Sequence, residues 1–270
     1  MPELIECRII AETLHRECEG KYLLSVSVDQ KVKIKNLQTL KLPAKIVMVN
    51  SYGKKIVFCL DNGQYIVNWP LMDGRWTFEP LNHTRATFSI GDVKSTAIKL
   101  KIPEFNVYYD GSFRFGGINI VTNIKEELKK LGPDPFYHNI TKELWLSIFR
   151  KSKVQKWEIS KALLEQDLIA GIGNWMKAEI LYEAKISPYR LVSKVTDEEL
   201  DQCRICFLEV ARIAYTSKGL TIATYWSPDG SAGTYPRKVY DKKQDPHGNE
   251  VQKDVSAGSR THHWVPAVQK

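Results

Sequence analysis

The chain opens Met1-Pro2-Glu3-Leu4-Ile5-Glu6, and the first residue with chemistry to offer is Pro2. Removal of Met1 would leave Pro2 with a secondary amine. An α-amino group titrates at about 7.7–8.0, so an appreciable fraction is unprotonated and nucleophilic at neutral pH, where a lysine is almost wholly charged. Addition of that amine to an aldehyde carbon gives an iminium, an electron sink beside a bond to be broken. Glu3 and Glu6 lie within one helical turn and can move protons. The same residues also make an ordinary helix start, because proline suits a first turn and carboxylates complement the positive end of the helix dipole.

A second cluster is Gln166-Asp167-Leu168-Ile169-Ala170-Gly171-Ile172-Gly173-Asn174, followed by Trp175-Met176-Lys177-Ala178-Glu179-Ile180-Leu181. A helix carrying Ile159, Leu163 and Leu164 ends at the glycines, and Asn174 is expected to cap the next helix. The N–H groups around Gly171 and Gly173, with the helix dipole, would make an anion site of phosphate size. A plain helix–helix corner is the alternative. Cys203-Arg204-Ile205-Cys206 has helical spacing with Phe207 and Val210, and two cysteines do not make a four-thiolate metal site.

These residues need elements to position them. Pro2 to about Leu14 reads as a helix with a rough apolar face of Leu4, Ile5, Ile9 and Leu14. From Tyr22 to about Val121 short alternating stretches predict strands, with Asp61-Asn62-Gly63 as a tight turn between two of them, the rhythm of a β-sandwich or barrel. Leu131-Gly132-Pro133-Asp134-Pro135-Phe136 breaks the pattern with two prolines. Helices follow from about Thr141 to Lys218, including one that Thr196-Asp197-Glu198-Glu199 starts and that runs through Tyr215. From Tyr235 the chain is polar and turn-rich and reads as a small hairpin. The expected division is 1–125, a linker at 126–137, a helical domain at 138–234 and a finger at 235–270.

The 270 residues are long enough to bury a sizeable core. The 39 Lys and Arg against 31 Asp and Glu leave a net charge of +8, which favours a polyanionic partner, nucleic acid first. No apolar run approaches a membrane span, and the start lacks the basic opening of a signal peptide. Cys7, Cys18, Cys59, Cys203 and Cys206 are odd in number and mostly isolated, which suits a reducing, intracellular compartment.

The opening MPELIE, the AGIGN turn between two helices, the LGPDPF linker and the terminal GSRTHHWVP together resemble the formamidopyrimidine-DNA glycosylase/endonuclease VIII family of base-excision repair enzymes. The resemblance runs from end to end, with the four motifs in the family's order. It implies an α+β fold: an N-terminal helix and β-sandwich, then a helical domain with a helix–two-turn–helix and a finger hairpin, with DNA in the cleft between the domains. It also implies that Pro2 is the Schiff-base nucleophile at the sugar C1′, Glu3 the proton donor to the sugar and Glu6 a support. Lys54, Asn174 and Arg260 would contact phosphates, with Gly171 and Gly173 beside Asn174. Met72 would fill the hole left by the flipped nucleotide, a physical role because flipping costs stacking. Arg114 and Phe115 keep an Arg-Phe-Gly pattern where many members have two further wedges, although Phe113 stands where an arginine is often found. Ile5 replaces a proline usual in the opening motif.

Many members hold zinc on four finger cysteines, whereas here no cysteine lies beyond Cys206. His247-Gly248-Asn249-Glu250 and Val265-Pro266-Ala267-Val268 occupy the ligand stretches. The finger is therefore expected to be a zincless one in which Trp264 and Val265 replace metal with packing, and no metal or cofactor is expected. The activity implied is that of a bifunctional glycosylase/AP lyase, acting by β- and δ-elimination on damaged DNA, duplex or single-stranded, as a monomer. The zincless finger and a short loop from Tyr225 to Tyr235 favour oxidised pyrimidines and ring-opened purines as substrates. A catalytically silent lesion-binding protein on the same fold, and an RNA- or ribosome-binding protein, are the alternatives.

Overall fold

The computed structural model describes residues 2–29, 34–70, 74–94, 100–111, 117–220, 226–255 and 260–270. They form two compact units, Met1–Lys129 with Lys218–Thr234, and Lys130–Ser217 with Tyr235–Lys270.

The first unit begins with α1 (Leu4–Cys18), one turn longer than the sequence pattern predicts. Cys18 explains the extension: Cys7, Ile10, Ala11, Leu14 and Cys18 recur at three- and four-residue steps and are all buried. Arg8 and Glu12 pair on the outer face at 2.6 Å. The helix packs on β2 (Ala44–Tyr52) and β3 (Lys55–Leu60). The other strands are β1 (Tyr22–Val28), β4 (Tyr65–Trp69), β5 (Arg75–Thr77), β6 (Thr84–Lys94), β7 (Leu100–Asp110) and β8 (Gly117–Val121), and a short α2 (Ile124–Leu128) follows them.

All eight strands share one antiparallel sheet in the order β5-β7-β6-β1-β2-β3-β4-β8. It behaves as a sandwich because it folds over at β1 and β2, which pair only through Tyr22↔Lys45 and Leu23↔Ala44. Phe58 on β3 and Phe88 on β6 are three strands apart, roughly 14 Å along a flat sheet, yet their rings stack at 6.5 Å. Trp76 fills the space between them, 5.2 Å from Phe58 and 5.1 Å from Phe88. Its indole N–H donates to Asn68 Oδ1 at 3.0 Å, so this buried polar group is satisfied. The expected tight turn is present between β3 and β4, with Gly63 at φ +78°.

In the second unit, α3 (Lys142–Phe149) and α6 (Asp197–Thr216) stack Trp145 on Phe149 at 4.6 Å and on Phe207 at 5.7 Å. Thr196 starts α6 as expected, in a capping box with Glu199. Cys203 and Cys206 are buried within this helix as core residues. Between α3 and α6 in the chain come α4 (Ile159–Leu164) and α5 (Asn174–Glu183). The hairpin of β9 (Gln252–Asp254) and β10 (His262–Trp264) closes the chain. Its base packs on α5 through Ala178, Tyr182, Val239, Val251 and Val265.

Two boundaries differ from the sequence reading. Residues 218–234 were expected with the helices but belong to the first unit. The Leu220 N–H donates to Glu6 Oε1 at 2.8 Å, and Ser227 and Thr13 hydroxyls lie 3.4 Å apart. The expected linker is also partly docked. Ala170 donates to the Pro133 carbonyl at 3.0 Å, and a Cβ on Gly132 would sit 2.3 Å from the Leu168 carbonyl oxygen. Among the described residues no helix is long and apolar enough to cross a membrane.

Candidate active site and nucleic-acid interface

Pro2 and Glu3 are buried at the head of α1. Glu3 is the N-cap, with extended backbone at φ −109°, and forms a capping box with Glu6. The Glu3 N–H donates to Glu6 Oε2 at 2.8 Å, while Glu6 Oε1 accepts from Leu220. Both oxygens of Glu6 therefore hold main-chain donors. This favours the supporting role over proton transfer, and it ties the start of α1 to the segment at 218–234. The fit is close, since a Cβ on Gly219 would lie 3.0 Å from Glu6 Oε1.

Lys54 sits in the two-residue turn between β2 and β3, where Tyr52 pairs with Lys55. Gly53 takes the left-handed position at φ +54°, which a glycine at the first turn position accommodates without strain. The neighbouring strand is fixed to α1 by Arg8, which donates to Asn50 Oδ1 at 3.0 Å. Burial pushes the Cys7 thiol up, Glu6 and Glu3 push it further, and Lys54 pulls against them. The four groups thus share one electrostatic neighbourhood. Pro2, Glu3 and Glu6 are brought together at the head of α1, and Lys54 lies on the same unit, near enough for its charge to act on Cys7.

On the second unit the glycine turn is held by Gln166. Its side-chain N–H₂ donates to Leu164 and Ile172 carbonyls at 2.8 and 3.0 Å, and its Oε1 accepts from the Gly171 N–H at 2.9 Å. The sequence reading counted the N–H at Gly171 as an anion donor, but this bond already satisfies it. Gly171 is needed for its backbone instead, at φ +96°. A second correction concerns Asn174. It is the first residue of α5, Gly173 is the N-cap, and the Asn174 carboxamide accepts from Lys177 Nζ at 2.8 Å rather than capping the helix.

Residues Trp175 to Tyr182 of α5 are all buried, including Lys177 and Glu179. Sequence reasoning passed over both charges, although a helix apolar on every side is a buried one and any charge within it must be held. Glu179 anchors the finger: its carboxylate accepts from the N–H groups of Lys238, Val239 and Tyr240 at 2.9, 3.0 and 2.8 Å. Burial pushes its carboxyl up, against the pull of those three donors. At 247–250 the turn is folded by Asp245, which accepts from His247 and Asn249 N–H groups and from the Tyr182 hydroxyl. At 265–268 Val265 is fully buried and its N–H meets Gln269 Oε1 at 2.8 Å. Trp264 donates to Asp254 at 3.2 Å. Arg260 is exposed, two residues before β10.

Comparison with known proteins places this geometry. Residues 1–106 match the formamidopyrimidine-DNA glycosylase N-terminal domain, 131–225 its H2TH domain and 234–270 its C-terminal domain. The chain belongs to the formamidopyrimidine-DNA glycosylase/endonuclease VIII family. Formamidopyrimidine-DNA glycosylases from Exiguobacterium sp. and Thermus thermophilus are 28% and 29% identical to it, over 100% of this chain and 100% and 98% of theirs. The crystal structure of the MutM (Fpg) protein from Thermus thermophilus superposes with a TM-score of 0.86 at 28% identity, covering 99% of this chain and 98% of that one. Lactococcus lactis Fpg, solved with DNA containing an oxidised pyrimidine, shares the fold at a TM-score of 0.83, 23% identity and full coverage of both chains. This family membership makes the chain a DNA repair glycosylase by descent. The three candidate wedges, Met72, Arg114 and Phe115, lie outside the described residues.

Proposed function

We propose that this family member is a bifunctional DNA glycosylase and AP lyase, with Pro2 as the nucleophile. The observation that carries this reading is the buried Pro2-Glu3 pair at the head of α1, with the Glu3 N–H held by Glu6 at 2.8 Å. A nucleophile next to a carboxyl group, both held by a rigid helix start, is the arrangement covalent catalysis requires. After Met1 is removed, Glu3 gives a proton to the sugar ring oxygen. The ring opens, the proline nitrogen bonds to C1′, and the damaged base leaves with the electron pair of its C1′–N bond and takes up the proton that the proline nitrogen loses, so that C1′ and the proline form an iminium. The resulting iminium acidifies the C2′ proton, whose loss expels the 3′ phosphate. A further proton loss at C4′ expels the 5′ phosphate. Water then hydrolyses the iminium and returns the proline amine.

Lys54, Asn174 and Arg260 bind backbone phosphates of damaged DNA, and the chain acts as a monomer. The substrates are oxidised pyrimidines and ring-opened purines. The absence of finger cysteines and the short 225–235 segment support that preference. Met72 fills the vacated stack, assisted by Arg114 and Phe115.

The test is covalent trapping. Borohydride added during reaction with abasic DNA should reduce the iminium to a stable adduct that peptide mapping locates at residue 2. Glu3→Gln should lower base excision by roughly 10²–10⁴, the usual loss for a general acid, while lyase activity on a pre-formed abasic site falls less. An adduct on Lys54 with fully active Pro2 variants would show that the N-terminal mechanism is wrong. Absence of any adduct, with DNA binding retained, would favour a silent binding protein.

A further inference from the structure

We propose that Lys177 is a positioning residue for the phosphate site, fixing the Asn174 carboxamide from beneath and joining it to the strand that follows Arg260. The proposal rests on the reading that Asn174 and Arg260 bind phosphates.

Lys177 is 1% exposed, and its ammonium lies 2.8 Å from Asn174 Oδ1 and 3.2 Å from His262 Nδ1. An ammonium carries three donors and no acceptor, so every atom it touches must accept. That settles the orientation of a carboxamide whose oxygen and nitrogen are otherwise hard to tell apart. The atom facing Lys177 is the oxygen, and the amide N–H₂ necessarily points the other way. In the reversed arrangement two donors would meet at hydrogen-bond distance. An asparagine held in this manner offers an anion two N–H donors at the first residue of a helix, where the dipole already favours negative charge.

The same argument applies to His262. Its Nδ1 accepts, so the ring proton is on Nε2 and the ring is neutral. Burial, then the Lys177 charge, pushes its pKa down to about 4. His262 lies two residues after Arg260 and opposite Asp254 across the hairpin. Its ring stands edge-on to Tyr189 at 5.0 Å, and the Tyr189 hydroxyl donates to Asp254. One buried ammonium on α5 therefore fixes both its neighbour Asn174 and a ring on β10, 85 residues further along the chain than Lys177 itself.

The choice of residue supports a role in binding. A cation in the first turns of a helix opposes the dipole, so Lys177 is badly placed for helix stability and well placed to favour an anion. Glu179 lies two residues further along the same helix, and its carboxylate accepts from the finger's main chain at 238–240. Finger attachment and phosphate positioning thus fall to different residues.

The experiment compares Lys177→Met, Lys177→Gln, Asn174→Ala and the Lys177→Met/Asn174→Ala double variant. The probe is duplex DNA carrying a tetrahydrofuran abasic analogue for binding, and the natural abasic site for single-turnover lyase rates at saturating enzyme. Lys177→Met should raise the Kd about tenfold and leave the saturated rate within twofold of the parent. Asn174→Ala should weaken binding strongly in the parent but by less than about threefold once Lys177 is gone. Lys177→Gln keeps a donor in place, so it should bind between the parent and Lys177→Met, and it serves as the test if the methionine variant does not fold. Independent, multiplying effects at 174 and 177 would overturn the proposal, as would parental affinity in a folded Lys177→Gln. If Asn174→Ala alone leaves the Kd unchanged, the phosphate reading fails and the inference fails with it. A loss with Asn174→Ala but none at 177 refutes only the role of Lys177.

Discussion

Glu6→Gln separates a structural brace from a proton carrier. Glu6 is 1% exposed, and its two oxygens accept main-chain N–H groups of Glu3 and Leu220, each at 2.8 Å. Glutamine keeps one acceptor and turns an N–H₂ toward the other donor. A hydrogen bond to a charged acceptor contributes about 1.5–3 kcal/mol, and a buried donor left unpaired costs about 1–3 kcal/mol. The neutral amide avoids part of the carboxylate's desolvation, so a net loss of about 2 kcal/mol remains. At roughly 2–4 °C per kcal/mol for a chain of this size, the Tm should fall by about 4–8 °C. Excision and lyase rates should fall together, because displacement of the Glu3 main chain moves Pro2 as well. Differential scanning calorimetry and single-turnover rates on a lesion duplex and on an abasic duplex measure both effects. A parental Tm combined with selective loss of excision would mean that Glu6 transfers a proton, and the bracing argument would be refuted.

The proposed phosphate contacts should show themselves through salt. Lys54→Ala and Arg260→Ala should each weaken binding for all sequences alike and reduce the slope of log K against log salt by about one unit, as read by anisotropy titrations. Acidification should loosen the finger. Burial holds His262 and His263 neutral, each with a pKa lowered to about 4, against about 6.5 in the unfolded chain. Between those values the unfolded state binds more protons, so stability is complete above about pH 6.5 and is lost as pH falls toward about 4. Urea midpoints from pH 4.5 to 7.5 should therefore drop on the acid side for the parent and less for His263→Gln; equal slopes would refute the assignment. The finger should also stand without metal, because Glu179 and Asp245 hold its main chain. Elemental analysis finding one tightly held zinc per chain would contradict this.

What the sequence by itself determined about this protein is local or recurrent. The opening helix, the Thr196 cap with its acidic first turn and the Asp61-Asn62-Gly63 turn depend on residues a few positions apart, and such spacing is visible in the letters. The four motifs likewise carried the family and, through it, the expected roles of Pro2, Lys54, Asn174 and Arg260. The tertiary structure decided which partner each buried polar group meets. Gln166, not an anion, takes the Gly171 N–H; Glu6 meets Leu220, 214 residues away; Lys177 meets His262. A carboxylate or ammonium taken out of water must find acceptors or donors somewhere, and this requirement is legible in the apolar run around Lys177 and Glu179. Which groups satisfy it depends on how distant segments pack, and no periodicity in the chain records that. The segment 218–234 joins the first unit for the same reason: its hydrogen bonds are to α1, not to the helices that precede it in sequence.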